Sequence, residues 1–236
     1  MDAVRAQDGI DAALARVRAL IACGANVNAT YDRGYTVFMC AVGSGRHPFM
    51  LQTLLDAGAD PHAVSELGYN AFHAAIDVDG EDETVEATFK FLHRIGVSME
   101  HRNRAGHTPL SRAIWERDER DETDVRVLVE LGADPDSRAP IYCFAGESSV
   151  PTDVPLVFHA IKRCRPDRNL EALLRAGMRL DVADAEGRSP LEYARVQKDA
   201  VARWPDSPRQ RGRLEKAERC IQLLTDAGRP PIRGST

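Results

Sequence analysis

Several residue types are scarce in this sequence, and each scarcity excludes something. Only four of its 31 basic residues are lysine (Lys90, Lys162, Lys198, Lys216). Arginine in place of lysine, with many Ala, Asp and Gly, is what GC-rich coding produces and points to a high-GC bacterium rather than to a chemistry. Aromatics make up 6%, so any core is built mainly from Leu, Ala, Val and Ile. No apolar run approaches the roughly 20 residues a membrane helix needs, and no membrane partner is expected. Residues Met1 to Asp11 carry Asp2, Arg5, Asp8 and Asp11 without an apolar stretch. That is unlike a secretory signal, so the expected location is cytoplasmic. The five cysteines (Cys23, Cys40, Cys143, Cys164, Cys220) are odd in number and include no CxxC pair. They fit buried small hydrophobes in a reduced compartment rather than a disulfide scaffold.

Catalytic signatures are missing as well. There is no GxxxxGK(S/T) phosphate loop, no GxGxxG after a strand, no HExxH and no GxSxG. The histidines at 47, 62, 73, 93, 101, 107 and 159 form no i,i+4 pair. The stretch LLDAGADPHAVSELGYNAFHAAI (54–76) gathers Asp60, His62, Glu66 and His73, but the usual four-ligand count of a metal site is not evident there. The acidic run Asp77, Asp79, Glu81, Asp82, Glu83 lacks the twelve-residue spacing and final bidentate Glu of a calcium-binding EF-hand, and reads as a solvated loop. No enzyme, metal or cofactor is therefore expected. A net charge of −5 gives no general pull toward nucleic acid.

What the sequence does hold is a repeat. GADPHA at 58–63 recurs as GANVNA (24–29), GVSMEH (96–101), GADPDS (132–137) and GMRLDV (177–182), each after an apolar helical run such as LQTLLDA or VRVLVEL. A second element follows each turn: RGYTVFMCAV, LGYNAFHAAI, AGHTPLSRAI and EGRSPLEYAR, with a degenerate TDVPLVFHAI. Gly24, Gly58, Gly96, Gly132 and Gly177 sit where a helix end wants a left-handed residue. Thr36, Asn70, Thr108 and Ser189 are good N-caps, and Pro109, Pro155 and Pro190 suit a first helical turn. Phe38, Phe72, Leu110, Leu156 and Leu191 are then expected in the core. One such unit cannot bury its apolar face alone, so stacking is what stabilises it.

Two motifs recurring in fixed order at a near-constant spacing resemble the ankyrin repeat, whose period is about 33 residues. The resemblance spans roughly Asp11 to Gly228. It implies an all-α ankyrin repeat solenoid of helix-turn-helix units with short β-hairpin or loop connections. The expected layout is a single domain: a half repeat at 9–30, repeats at about 31–63, 64–101, 102–137 and 138–182, a long C-terminal repeat at 183–228 and a tail at 229–236. His73 then occupies the histidine position of the family's Thr-Pro-Leu-His motif, a structural role. Insertions depart from the family pattern at 77–83, 115–123, 139–153 and 198–212. In solenoids these map to loops, often on the binding face. The arginine-rich stretch 203–213 is expected to be an inter-helix loop with Trp204 folded onto the last repeat.

By the same resemblance, function falls to a concave surface of hairpin tips and first helices that grips another protein. Carried over by position, the tips expose Asp32, Arg33 and Tyr35, then Glu66, Leu67 and Tyr69, then Arg104 and His107, then Glu186 and Arg188. Tyr35 and Tyr69 are interface anchors or braces between neighbouring hairpins; the sequence leaves both open. The same holds for Trp115, a hot spot or a residue packed on its own loop. Six acids in 77–86, and six acids against two arginines in 116–124, predict an acidic rim. Asp77, Asp79, Glu81, Glu116, Asp118 and Glu119 on it would steer a basic partner. The leading expectation is a monomeric adaptor or regulator. An immunity protein covering a bacterial toxin's active site is the alternative, and an enzyme or nucleic-acid binder is a third reading.

Overall fold

A computed structural model describes residues 2–44, 48–76, 82–116, 123–141, 152–162 and 167–228. The sequence-proposed contacts Asp77, Asp79, Glu81, Asp118 and Glu119 lie outside these residues, as do Cys143 and Cys164. The packing forms two compact units, Met1–Pro109 and Leu110–Thr236.

The first unit opens with a long helix, α1 (Asp2–Ala22), and a short hairpin, β1 (Thr30–Tyr31) with β2 (Tyr35–Thr36). Four helices follow: α2 (Val37–Gly43), α3 (Pro48–Asp56), α4 (Ala71–Ala75) and α5 (Asp82–Arg94). First helices pack on first helices (α2 on α4) and second on second (α3 on α5), while α4 also packs on its own partner α5. Phe38, Leu51, Phe72, Phe89 and Leu92 fill the space between them and are buried. Phe72 and Phe89 stack with ring centroids 5.8 Å apart.

The second unit holds α6 (Pro109–Glu116), α7 (Thr123–Glu130), the strand pair β3 (Arg138–Ile141) and β4 (Thr152–Pro155), α8 (Leu156–Lys162), α9 (Asp167–Arg175), α10 (Pro190–Ala202) and α11 (Pro208–Ala227). The second helices α7, α9 and α11 pack in series, and α8 packs on α10. The enlarged hairpin is antiparallel, with Ala139 opposite Val154 and Ile141 opposite Thr152. Residues 142–151 of that insertion lie outside the described set.

Local chemistry explains the punctuation. All five glycines after the apolar helices have positive φ, from 80° at Gly96 to 99° at Gly132, the left-handed helix stop that a Cβ disfavours. Thr36, Asn70 and Ser189 cap α2, α4 and α10, each side-chain oxygen accepting the amide three residues on. Two expectations need correction. Leu191 is only half-buried, whereas Phe38, Phe72, Leu110 and Leu156 are fully inside. The 198–212 insertion is mostly helix: residues 198–202 extend α10, and Ser207 caps α11 with Pro208 in its first turn. The loop proper is 203–207, and Trp204 on it is 44% exposed rather than folded away.

Candidate partner-binding surface

The tips of the hairpins share one construction. In three of them the first residue's amide donates to the carbonyl four residues on, and the turn glycine's amide donates back to the first carbonyl. The pairs are Ser65 to Tyr69 with Gly68 to Ser65, Asn103 to His107 with Gly106 to Asn103, and Asp184 to Arg188 with Gly187 to Asp184. A side-chain oxygen at the first position reinforces each turn: Ser65 Oγ accepts from Tyr69 N, Asn103 Oδ1 from Ala105 N and His107 N, and Asp184 Oδ1 from Glu186 N and Arg188 N.

This geometry sorts the side chains. The two residues before each turn glycine point outward: Asp32 and Arg33, Glu66 and Leu67, Arg104 and Ala105, Ala185 and Glu186 are all exposed. The residue after the glycine points inward. Tyr35, Tyr69 and Arg188 are half-buried and His107 is 7% exposed. His107 is thus not displayed at a tip; its amide and carbonyl are tied into the turn, and the side chain follows the backbone inward.

In the first unit the tips are sewn together. Glu66 N donates to Arg33 O and Arg104 N to Leu67 O, both at 2.9 Å. Glycine permits this approach: a Cβ on Gly68 would lie 2.7 Å from Arg104 N. Beneath the tips the inward rings make a row. Tyr35 meets Tyr69 edge-on at 6.2 Å, Tyr69 stacks on His73 at 5.3 Å, and His73 meets His101 edge-on at 6.0 Å. His73 is fully buried. Its Nδ1 lies 2.8 Å from Asn70 Oδ1, and its Nε2 donates to the His107 carbonyl at 2.9 Å. His101 Nε2 likewise donates to Gly68 O at 3.0 Å. The tyrosines therefore brace neighbouring hairpins, the second of the two readings the sequence allowed.

Asp60 and His62 have a backbone task. Asp60 Oδ1 accepts the His62 amide, while Asn28 spans 32 residues by accepting from Asp60 N through Oδ1 and donating through Nδ2 to Gly58 O. Among the described residues, no group of three or more His, Cys, Asp or Glu side chains is placed to hold a metal ion. Burial pushes the Cys40 thiol above its ordinary range, which works against a reactive thiolate.

Arg33 stands out at φ 55°, the one non-glycine residue with positive φ among those described. Strain of this kind, about 1 kcal/mol for a residue with a Cβ, concentrates at functional positions. Tyr31, 78% exposed, is the displayed tip residue that sequence reasoning missed. The signal was present: Tyr31 occupies the first tip position, where the other repeats carry Ser65, Asn103 and Asp184. Val64 (47%) and Leu67 (36%) are the other exposed large apolar groups on these hairpins.

In the second unit Trp115 is half-buried with its ring edge-on to His159 at 6.1 Å, so it packs on α8. Glu116 ends α6. Arg188 braces its own tip: Nε donates to Asp184 Oδ2 at 2.7 Å, Nη2 to Glu186 at 2.6 Å, and the guanidinium sits 5.3 Å from the Tyr193 centroid. Burial by itself raises the Asp184 pKa, but the Arg188 and Glu186 amides and the Arg188 guanidinium outweigh it and hold the carboxyl below its usual range. A depressed native pKa stabilises above the unfolded value, near 4, and that contribution is lost as pH falls through the native value. Asp184→Asn keeps an Oδ1 for the two turn amides, as Asn103 does, but loses the charge facing Arg188; it is expected to cost about 1 kcal/mol at neutral pH and to flatten the acid-side decline in stability. Thermal unfolding of both proteins from neutral pH to about pH 3 checks this; parallel curves would contradict it.

The ankyrin repeat model matches residues 33–63. Among solved structures, this chain is similar to the ankyrin repeat domain of Bcl-3, described as a unique member of the IkappaB protein family. The likeness covers 95% of this chain and 83% of that one, with a TM-score of 0.62 and 21% identity. It is similar also to an ankyrin repeat domain from Acinetobacter baumannii AYE, over 93% of this chain and 94% of that one, with a TM-score of 0.61 and 19% identity. The chain has the ankyrin repeat fold. The fold is the all-α ankyrin architecture expected from the repeats. At these identities the ankyrin structures speak to fold alone. No curated protein matches the sequence. Ankyrin repeat domains are generally protein–protein interaction modules, and no helix among the described residues is long and apolar enough to cross a membrane.

Proposed function

We propose that this chain is a non-catalytic, cytoplasmic binding module that grips a partner protein with the hairpin tips of its first unit. One observation carries the reading: main-chain hydrogen bonds fix three consecutive tips, and each fixed tip holds an exposed pair outward (Asp32–Arg33, Glu66–Leu67, Arg104–Ala105). A braced surface binds without first being ordered, which removes a cost most loops carry. Tyr31 and Leu67 supply apolar anchors, and Arg33, Glu66 and Arg104 supply direction. Tyr35 and Tyr69 hold the tips from below. The acidic residues Asp77, Asp79 and Glu81, from the sequence alone, add negative charge that favours a basic partner.

The test is affinity capture from the native cell with the wild-type chain and with Glu66→Arg/Leu67→Asp. A partner retained by the first and reduced about tenfold or more by the second supports the reading. Unchanged capture overturns it. Loss of the captured protein's own activity on binding would identify an inhibitor, as in the immunity reading; retained activity would identify an adaptor.

A further inference from the structure

The α10–α11 hairpin carries a surface of different character. Between Arg195 and Arg219 there are eight basic and four acidic residues, a net +4 in a chain of −5, leaving −9 on the rest. The loop at its apex is tightly built. Buried Gln210 directs its amide at the carbonyls of Val201, Ala202 and Trp204 at 3.3, 3.3 and 3.0 Å. Trp204 N donates to Val201 O, and Ser207 Oγ accepts the Gln210 amide. On this braced loop the Trp204 indole is 44% exposed. The Arg213 guanidinium lies 4.9 Å from its ring centroid, and exposed Arg203 is its neighbour in the chain.

A rigid loop that leaves an indole in water, flanked by arginines, has the composition of an interface centre, where Trp and Arg are enriched. We propose that the Trp204 loop is a second docking surface that takes an acidic polypeptide segment. Its carboxylates meet Arg203 and Arg213, and an apolar side chain lies against Trp204. Arginine suits carboxylates because its planar fork donates two parallel hydrogen bonds. A nucleic acid fits less well. A phosphate track wants continuous positive charge, whereas Asp206 of the loop pairs with Arg211 of α11 at 2.7 Å, and Asp199, Glu215 and Glu218 are exposed on the flanking helices.

Fluorescence anisotropy on the full chain tests this, using a labelled short Asp/Glu-rich peptide bearing one Phe and, in parallel, a labelled oligothymidylate of equal length. The peptide is expected to bind at low salt and to weaken about tenfold with Trp204→Ala. Arg203→Glu/Arg213→Glu should lose the acidic peptide and gain a Lys-rich counterpart. Leu67→Asp should leave binding unchanged, which separates this surface from the tips. Thermal unfolding confirms that each variant is folded. No peptide binding, equal binding by the variants, or tighter binding and displacement by oligothymidylate would each overturn the proposal.

Discussion

Gly68→Ala is expected to destabilise the protein by about 2–4 kcal/mol, far more than alanine costs at most glycines. Two penalties combine. At φ 77° a Cβ strains its own backbone by about 1–2 kcal/mol. The new methyl would also sit 2.7 Å from Arg104 N and 3.1 Å from the Asn103 backbone. Those atoms belong to the next tip, so the tips have to part and the Arg104–Leu67 hydrogen bond stretches or breaks. Gly58→Ala is the matched control. It has φ 89°, but nothing lies within 4 Å of the added Cβ, so only the backbone strain of about 1–2 kcal/mol applies. Chemical denaturation of the two variants separates crowding from strain, and equal losses would contradict the tip geometry.

His73→Leu is expected to cost about 1–3 kcal/mol, because the buried His107 carbonyl is left with the Asn103 amide alone and the Asn70 cap loses its ring contact. Leucine fills the volume but cannot donate to the His107 carbonyl or meet Asn70, which itself ties α4 to the Ser98 carbonyl at 2.7 Å. By contrast His62→Ala, at an exposed position whose backbone amide makes the hydrogen bond, should stay within about 0.5 kcal/mol. Thermal melts of the two histidine variants report this directly. A similar loss in both would mean that His62 has a role the structure does not show.

These contrasts mark how far the sequence could be read. The architecture was legible because it is written in local rules repeated several times. A glycine after each apolar helix, a hydroxyl or amide before the next, and an aromatic or leucine two residues later each say the same thing. The role of His73 was legible for the same reason. The facing of the tip residues was not. Leu67 and Tyr69 look equally exposed in a linear turn, and only the closed ring of backbone hydrogen bonds sends one out and the other in. His107 was misplaced on that account. Trp204 was misjudged because extending both flanking helices shortens the loop, which leaves the indole 44% exposed with Arg213 of α11 over its ring. Tyr31 escaped notice because a tyrosine beside a turn is unremarkable until it is aligned with Ser65, Asn103 and Asp184.

The most direct test of the account is calorimetric titration of the captured partner against three folded proteins: the wild type, Leu67→Asp, and Arg126→Glu/Arg175→Glu on the second helices α7 and α9. Binding through the tips predicts that Leu67→Asp weakens the complex by about tenfold or more while its melting temperature stays near that of the wild type, and that the helix variant binds unchanged. A Leu67→Asp protein that binds as tightly as the wild type, or a helix variant that loses the partner instead, would contradict it.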